Sequence, residues 1–317
     1  MSKTSKKHKD SGQSLWNDAW LRLRKNHMAV ASAVVIGLIF TLCFVAPILF
    51  SFQDPNTQNL NNTFATISGQ HLLGTDQSGR DFLARVVYGG RISLLVGFVA
   101  TSVSLVIGLL WGSISGYVGG RTDGIMMRIV DVLYGLPFLM LVILFSLLIS
   151  EHTKSLAEVM VTDWKMDTET VKKITNLIPL FIAIGALGWL TMARMARAQV
   201  MSIKNLEYIE AARSLGLSHT KILLRHIMPN MLGPIIVYTT LTVPGFILYE
   251  ASLSYLGLGV EAPNSSWGIL LKDGANYMET HPSLLIIPSV LFSLTLFALN
   301  FLGDGLRDAL DPKAAKD

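Results

Sequence analysis

The sequence is poor in cysteine and in charge. One cysteine, Cys43, stands among 317 residues, so no internal disulfide can form, and its place inside an apolar run reads as a small buried side chain. Only 15% of residues are charged and 51% are hydrophobic, with a mean hydropathy of +0.47. An ordinary soluble domain carries ~25% charged residues. No Gly-Lys pair occurs, which excludes a phosphate-cradling P-loop. Neither an H-E-x-x-H pair nor a nucleophile elbow is present, and no metal cluster can be read from the spacings. The expectation is a chain that is no enzyme, with no catalytic, cofactor-binding or metal-binding residue of its own.

What the chain has instead is long uncharged runs: Met28 to Phe50, Ile92 to Gly119, Val132 to Ser150, Ile174 to Ala193, Asn230 to Tyr249 and Pro282 to Gly303. Each is near or above the ~20 apolar residues that a helix needs to cross the hydrocarbon core. They predict an all-α membrane protein with six transmembrane helices. The first run follows a long polar tail and lacks a clear small-residue cleavage site, so it reads as a retained span rather than a signal peptide.

Basic residues orient the spans. The N-terminal tail carries Lys3, Lys6, Lys7, Lys9, Arg22, Arg24 and Lys25. The segment from Met195 to Pro229 carries Arg197, Lys204, Arg213, Lys221 and Arg225, with Arg194 at its edge. Residues 51–91 and 151–173 are balanced, and residues 261–281 are net acidic. The positive-inside rule therefore predicts that both termini and the 195–229 segment are cytoplasmic. It accounts for the basic tail without nucleic acid as a partner. Just before the first span, Trp16, Trp20 and Leu23 share a helical face, with Arg22, Arg24 and Lys25 around the rest. That is the pattern of an interfacial helix lying on membrane lipid.

Several residues inside the runs stand out. Gly112, Gly116 and Gly120 share one helical face, which suits close helix packing within this chain or against a second membrane subunit equally well. Glu250 falls near the outer end of the fifth span and has two readings, a pathway or gate residue or a structural hydrogen-bonding group. Arg128 and Asp131 read as a surface helix pair. Pro137, Pro244 and Pro288 are expected to kink the third, fifth and sixth spans.

The stretch EAARSLGLSHTKILLRHIMPN, Glu210 to Asn230, is polar and helical between two spans. Leu206 to Leu215 reads as a short helix that Gly216 ends with a left-handed turn. Ser218 is placed to cap a second helix, and Pro229 to stop it before the fifth span. A helix, sharp turn and helix held rigidly between two spans suit a lever pushed by a partner better than a linker.

This stretch resembles the EAA signature of permease subunits of bacterial ABC importers, through Glu210, Ala211, Ala212, Gly216 and Pro229 at the family's spacings. His226, where the generic pattern often has Ile, is usual in the peptide and nickel branch. LGTDQSGRDFLARVVYGGRISL, SYLGLGVEAPNSSWGILLKDG and NFLGDGLRDALDP look like further signatures of the C-type subunit of that branch. SLWNDAWLRLRKNHMAV is closest to oligopeptide permeases. The resemblance implies a type I ABC importer permease fold in the bacterial inner membrane. It further implies a second, homologous permease subunit, two cytoplasmic P-loop ATPase subunits that carry ATP-Mg, and a periplasmic peptide-binding protein. In that scheme residues 1–27 are a cytoplasmic tail, 28–91 the first helix and a periplasmic segment, 92–304 the permease domain with its coupling loop at 200–229, and 305–317 a C-terminal tail. The expected cargo is peptide ahead of nickel, because no His or acidic cluster suggests metal selection; that oligopeptides come ahead of dipeptides is what the resemblance implies. An ion-coupled secondary transporter is the different-class alternative; it is disfavoured because no internal repeat is clear.

Two regions lie apart from these motifs. Asp76, Arg80 and Asp81 offer paired carboxylates, read as structural salt bridges and turn capping with no His nearby, and as candidate contacts for the binding protein. Residues 151–175 look like an insertion between the third and fourth spans, read as a plain surface loop ahead of a contact for the binding protein.

Overall fold

The computed structural model describes residues 15–50 and 52–310. Lys3, Lys6, Lys7, Lys9 and the last seven residues lie outside them. Among the described residues every regular element is helical, apart from one isolated bridge between Thr75 and Asp81. In chain order these are α1 (Leu15–Lys25), α2 (His27–Leu49), α3 (Phe82–Val118), α4 (Gly120–Tyr134), α5 (Phe138–Thr162), α6 (Thr168–Thr175), α7 (Ile178–Ile203), α8 (Glu207–Ser214), α9 (His219–Tyr255), α10 (Trp267–Asn276) and α11 (Ser283–Leu310). Six helical rods are long and apolar enough to cross a membrane: α2, α3, α5, α6 with α7, α9 and α11.

Six crossings bring α1, α8 and the end of α11 to one face of the bundle, called here the terminal face; α6 and α10 lie at the far face. At the terminal face Leu23 of α1 and Ala29 of α2 pack on Gly305, and α11 continues as helix to Leu310.

Several boundaries differ from the sequence expectation, each for a tertiary reason. The second span begins at Phe82, not Ile92. Its early turns hold Arg85 and Arg91, whose charges are met from outside the helix: Asp76, nine residues earlier, and the distant Asp273 for Arg85, and the Cys43 carbonyl for Arg91. Pro137 does not kink the third span; it is the residue before α5, where a missing N–H costs nothing. The residues ahead of it form the separate α4. Asp131 of α4 pairs with Arg194 of α7 at 2.7 Å, not with Arg128. Pro244 and Pro288 lie within continuous helices. The expected surface loop 151–175 is mostly helix, the end of α5 followed by α6. Its base is clamped to the 262–264 segment: the Asn264 side-chain amide donates to the Lys173 carbonyl at 2.8 Å, and that of Asn176 to the Ala262 carbonyl at 2.9 Å.

The core is built on α3, α7 and α9. A Cβ at Gly112 would press on the Ala193 carbonyl and lie 2.8 Å from the Ala196 methyl; at Gly116 it would lie 2.8 Å from the Arg197 carbonyl. The small-residue face is therefore filled by α7 of this chain. Gly120 is not part of it and meets nothing within 4 Å.

Candidate functional site

Two features on the α7–α9 side organise the candidate site: a bracket at the terminal face and a groove within the bundle.

The bracket starts at the end of α7. Leu206 adopts an extended conformation and opens α8, whose first turn carries Glu207 and Glu210. Acidic residues there oppose the positive end of the helix dipole. Ile209 and Ala212 point inward and join Val200, Ile222, Ile227 and Met231 in one apolar cluster. Glu210, Ala211 and Arg213 face outward, and Leu215 at the tip is 80% exposed. Of the three signature residues, Ala212 is thus an anchor, while Glu210 and Ala211 are presented to solvent.

Gly216 has φ +76°, donates to the Arg213 carbonyl at 3.0 Å, and is followed by Leu217, which donates to the Ala212 carbonyl at 3.2 Å. This pair of bonds satisfies two carbonyls at the helix end and turns the chain sharply. Ser218 starts the next helix, though its side chain makes no capping bond. Pro229 corrects the expectation: it does not stop that helix. His219 to Tyr255 is one continuous rod, and a wider turn at Leu223–Ile227 accommodates the proline in the first turn of the apolar stretch from Met228 onward. His226 lies in that wider turn; its carbonyl accepts from the Asn230 amide at 2.6 Å.

The bracket is tied to the spans by polar links. Lys204 donates to the Gly116 carbonyl at 2.7 Å. Tyr117 Oη and His219 Nδ1 lie 2.9 Å apart. Arg197 grips Asp123 of α4 with two hydrogen bonds of 2.5 and 2.6 Å. That grip holds the Asp123 carboxyl below its ordinary pKa, with the Arg197 hydrogen bonds as the leading cause. Nothing local in the sequence signals Asp123, since its partner is 74 residues away.

Between α4, α5, α7 and α9 runs a groove of about 430 Å³. Its polar groups are the hydroxyls of Tyr134, Thr191, Tyr238, Thr242 and Tyr249, set among apolar side chains, and no ionised residue lines it. Arg194 stacks on the Tyr134 ring at 4.3 Å beside this groove. Sequence inspection does not pick out these hydroxyls, because they come from three separate helices.

Glu250 is outside the groove and completely buried. Ser93 Oγ donates to its Oε2 at 2.8 Å and Ser254 Oγ to its Oε1 at 2.7 Å. The same two hydroxyls accept from the backbone N–H of Trp267 and of Val260, each at 3.1 Å. The carboxyl thereby knots α3, α9 and the approach to α10.

Asp76, Arg80 and Asp81 form a far-face knot. Asp76 is 1% exposed and pairs with Arg80 and Arg85, both at 2.7 Å; its other oxygen accepts from the N–H groups of Ser78 and Arg80. Asp81 accepts from Ala84 N at 2.8 Å and so caps α3. The expectation of no neighbouring histidine is corrected: His71 Nδ1 lies 2.9 Å from Asp81. No group of three or more His, Cys, Asp or Glu able to hold a metal occurs among the described residues.

Comparison with known proteins gives this arrangement a family. Residues 108–316 match the binding-protein-dependent transport system inner membrane component, and residues 14–66 match the N-terminal TM domain of oligopeptide transport permease C. The chain is 47% identical to the oligopeptide transport system permease protein OppC of Haemophilus influenzae over 303 residues, 95% of this chain and 90% of that protein. It is 45% identical to OppC of Escherichia coli, covering 98% and 95% respectively. Against the dipeptide transport system permease protein DppC of Bacillus subtilis the identity is 40%, covering 95% and 86%. With its six apolar helices, the chain is a multi-pass inner membrane protein. It belongs to the binding-protein-dependent transport system inner membrane component family.

Proposed function

We propose that this chain is one permease subunit of an ATP-driven importer that moves peptides, chiefly oligopeptides, into the cytoplasm. The terminal face is the cytoplasmic one, in keeping with the basic residues of the tail and of the 195–229 segment. ATP-Mg is bound and hydrolysed on two separate P-loop ATPase subunits, which dock on α8. A second, homologous permease completes the pathway, and a periplasmic binding protein delivers the peptide to the far face. Of the residues singled out there, Arg80 is more exposed than Asp76 or Asp81, so the two acids brace the docking layer rather than touch the partner.

The observation that carries this reading is the α8 bracket. It presents Glu210, Ala211 and Leu215 outward while Ile209 and Ala212 are locked into the cluster that joins α7 to α9. A push on its outer face therefore acts on two spans at once. The groove supports a peptide cargo, since hydroxyls among apolar walls meet a neutral backbone without selecting a charge.

The test is affinity purification of the tagged chain in mild detergent, with mass spectrometry of its companions, for wild type and Gly216→Val. A β-branched residue tolerates positive φ poorly, so the variant should insert normally yet lose its ATPase companions and its peptide uptake. Wild-type protein that arrives alone, yet transports in vesicles energised only by an ion gradient, would replace this reading with a secondary transporter.

A further inference from the structure

The third span does not end where its apolar run ends. The uncharged run stops at Ser150, and charged side chains recur along the helix from Glu151 onward. The helix continues to Thr162, which carries the chain roughly 18 Å past Ser150. Headgroups extend only about 5–8 Å beyond each side of the hydrocarbon core. α6 returns the chain to the start of α7, so residues 151–175 form a helical hairpin that stands clear of the bilayer at the far face.

This hairpin is rigid. Its two helices pack together, and Thr153, Met160, Val171 and Thr175 are buried. At the tip, the N–H groups of Asp163 and Trp164 donate to the Val159 carbonyl at 2.9 and 3.3 Å, and that of Met166 to the Met160 carbonyl at 3.1 Å. Lys165 reverses the chain with φ +51°, a conformation that non-glycine residues keep where their surroundings hold it. Asp167 then caps α6 by accepting from Thr170 N at 2.9 Å. At the base, the Asn176 and Asn264 side chains join the hairpin to the 262–264 segment. That segment runs into Trp267, whose N–H is held by Ser93 beside Glu250. A loop that only connected two spans would need none of these bonds.

The rigid frame presents apolar groups outward. Trp164 is 64% exposed at the tip, and Leu156 and Val159 are exposed on α5, where they line a shallow hollow with His152 and Ser155. An exposed Trp at a bilayer surface is an ordinary interfacial anchor. Here the height of the tip and the exposed charges of Glu151, Lys154 and Glu158 on the turns below it exclude that role, so what covers Trp164 reaches it from the aqueous side. Trp is enriched among the residues that dominate protein interfaces, and one held on a rigid tip is ordered before its partner arrives. Membership of a binding-protein-dependent transport family supplies a soluble partner. We propose that the α5–α6 hairpin is a docking arm for the periplasmic peptide-binding protein, with Trp164 as its anchor in an apolar notch of that protein. This deepens the import reading and rests on it, because that reading brings the binding protein to the far face.

The experiment uses the whole complex in lipid nanodiscs and the peptide-binding protein, purified and loaded with peptide. Affinity is measured by biolayer interferometry, and ATPase activity with and without the binding protein. Trp164→Ala should weaken binding about tenfold or more, the loss expected of an interface hot spot. It should raise by a similar factor the binding-protein concentration that gives half-maximal ATPase stimulation. Assembly and the basal ATPase rate should not change, because the side chain is exposed, and Trp164→Phe should recover part of the affinity. A photo-crosslinking amino acid at position 164 should capture the binding protein, and decides the matter where Trp164→Ala fails to assemble. Equal affinity of wild type and Trp164→Ala overturns the proposal. So does capture of the second permease, which would make the hairpin a contact between membrane subunits, or of lipid, which would lay the tip on the bilayer. A wild-type complex that the binding protein neither binds nor stimulates would overturn the import reading and this proposal with it. Equal stimulation of wild type and Trp164→Ala overturns the docking arm alone.

Discussion

At the scale of single residues, polar groups in the spans are used to join helices. Glu250 was open in the sequence to a gate or to a structural role, because a lone acid among apolar residues says only that something must satisfy it. The structure supplies two serine hydroxyls from two helices and no exposure. Glu250→Ala should therefore strand Ser93 and Ser254 and leave a cavity, destabilising by ~2–5 kcal/mol. The expected result is less folded protein and a lower unfolding temperature in detergent, with uptake per folded chain preserved. Normal stability with altered uptake would restore the gate. Asp123 makes a pH prediction. Its folded pKa is lowered, so the Asp123–Arg197 contribution is present above the unfolded pKa and is lost as pH falls through the folded one. Thermal unfolding of wild type and Asp123→Asn should differ at neutral pH and converge in acid. A gap that is unchanged down to low pH would contradict the sign.

At the scale of elements, helix type was legible and helix ends were less so. The apolar runs identify six spans, and Gly216 was readable as a turn because few residues other than glycine adopt a positive φ readily. The start of α3 was hidden because Arg85 and Arg91 look prohibitive until Asp273 and Cys43 are folded beside them. The Pro229 stop failed because a widened turn absorbs the missing hydrogen bond. The glycine face was ambiguous in sequence and is resolved by α7 packing against it. Gly112→Val should push α3 from α7, costing ~1–3 kcal/mol or more by overpacking. The expected outcome is lower thermal stability of the chain even when purified alone. A chain of unaltered stability that only loses a companion subunit would mean the face serves assembly.

At the scale of the whole molecule, the bracket, its polar links and the groove adjoin one another in the packed bundle. On the proposed import reading, a push on α8 acts on α7 and α9 through the shared cluster and reaches α3 and α4 through the Lys204 and Arg197 links, and the groove lies between those helices. The co-purification test of Gly216→Val belongs at this scale, since it asks whether that push comes from an ATPase. By itself the sequence determined the membrane class, the span count, the bracket and, through ordered motifs, the family. These depend on local hydropathy, on single backbone conformations and on contiguous words of sequence. Only the tertiary structure decided which buried charges are paired, that Glu250 is sealed, that the glycine face is internal, and that five hydroxyls from three helices share a groove with no charge in it. Each of those is a relation between residues far apart in the chain, and such relations exist only once the helices are packed.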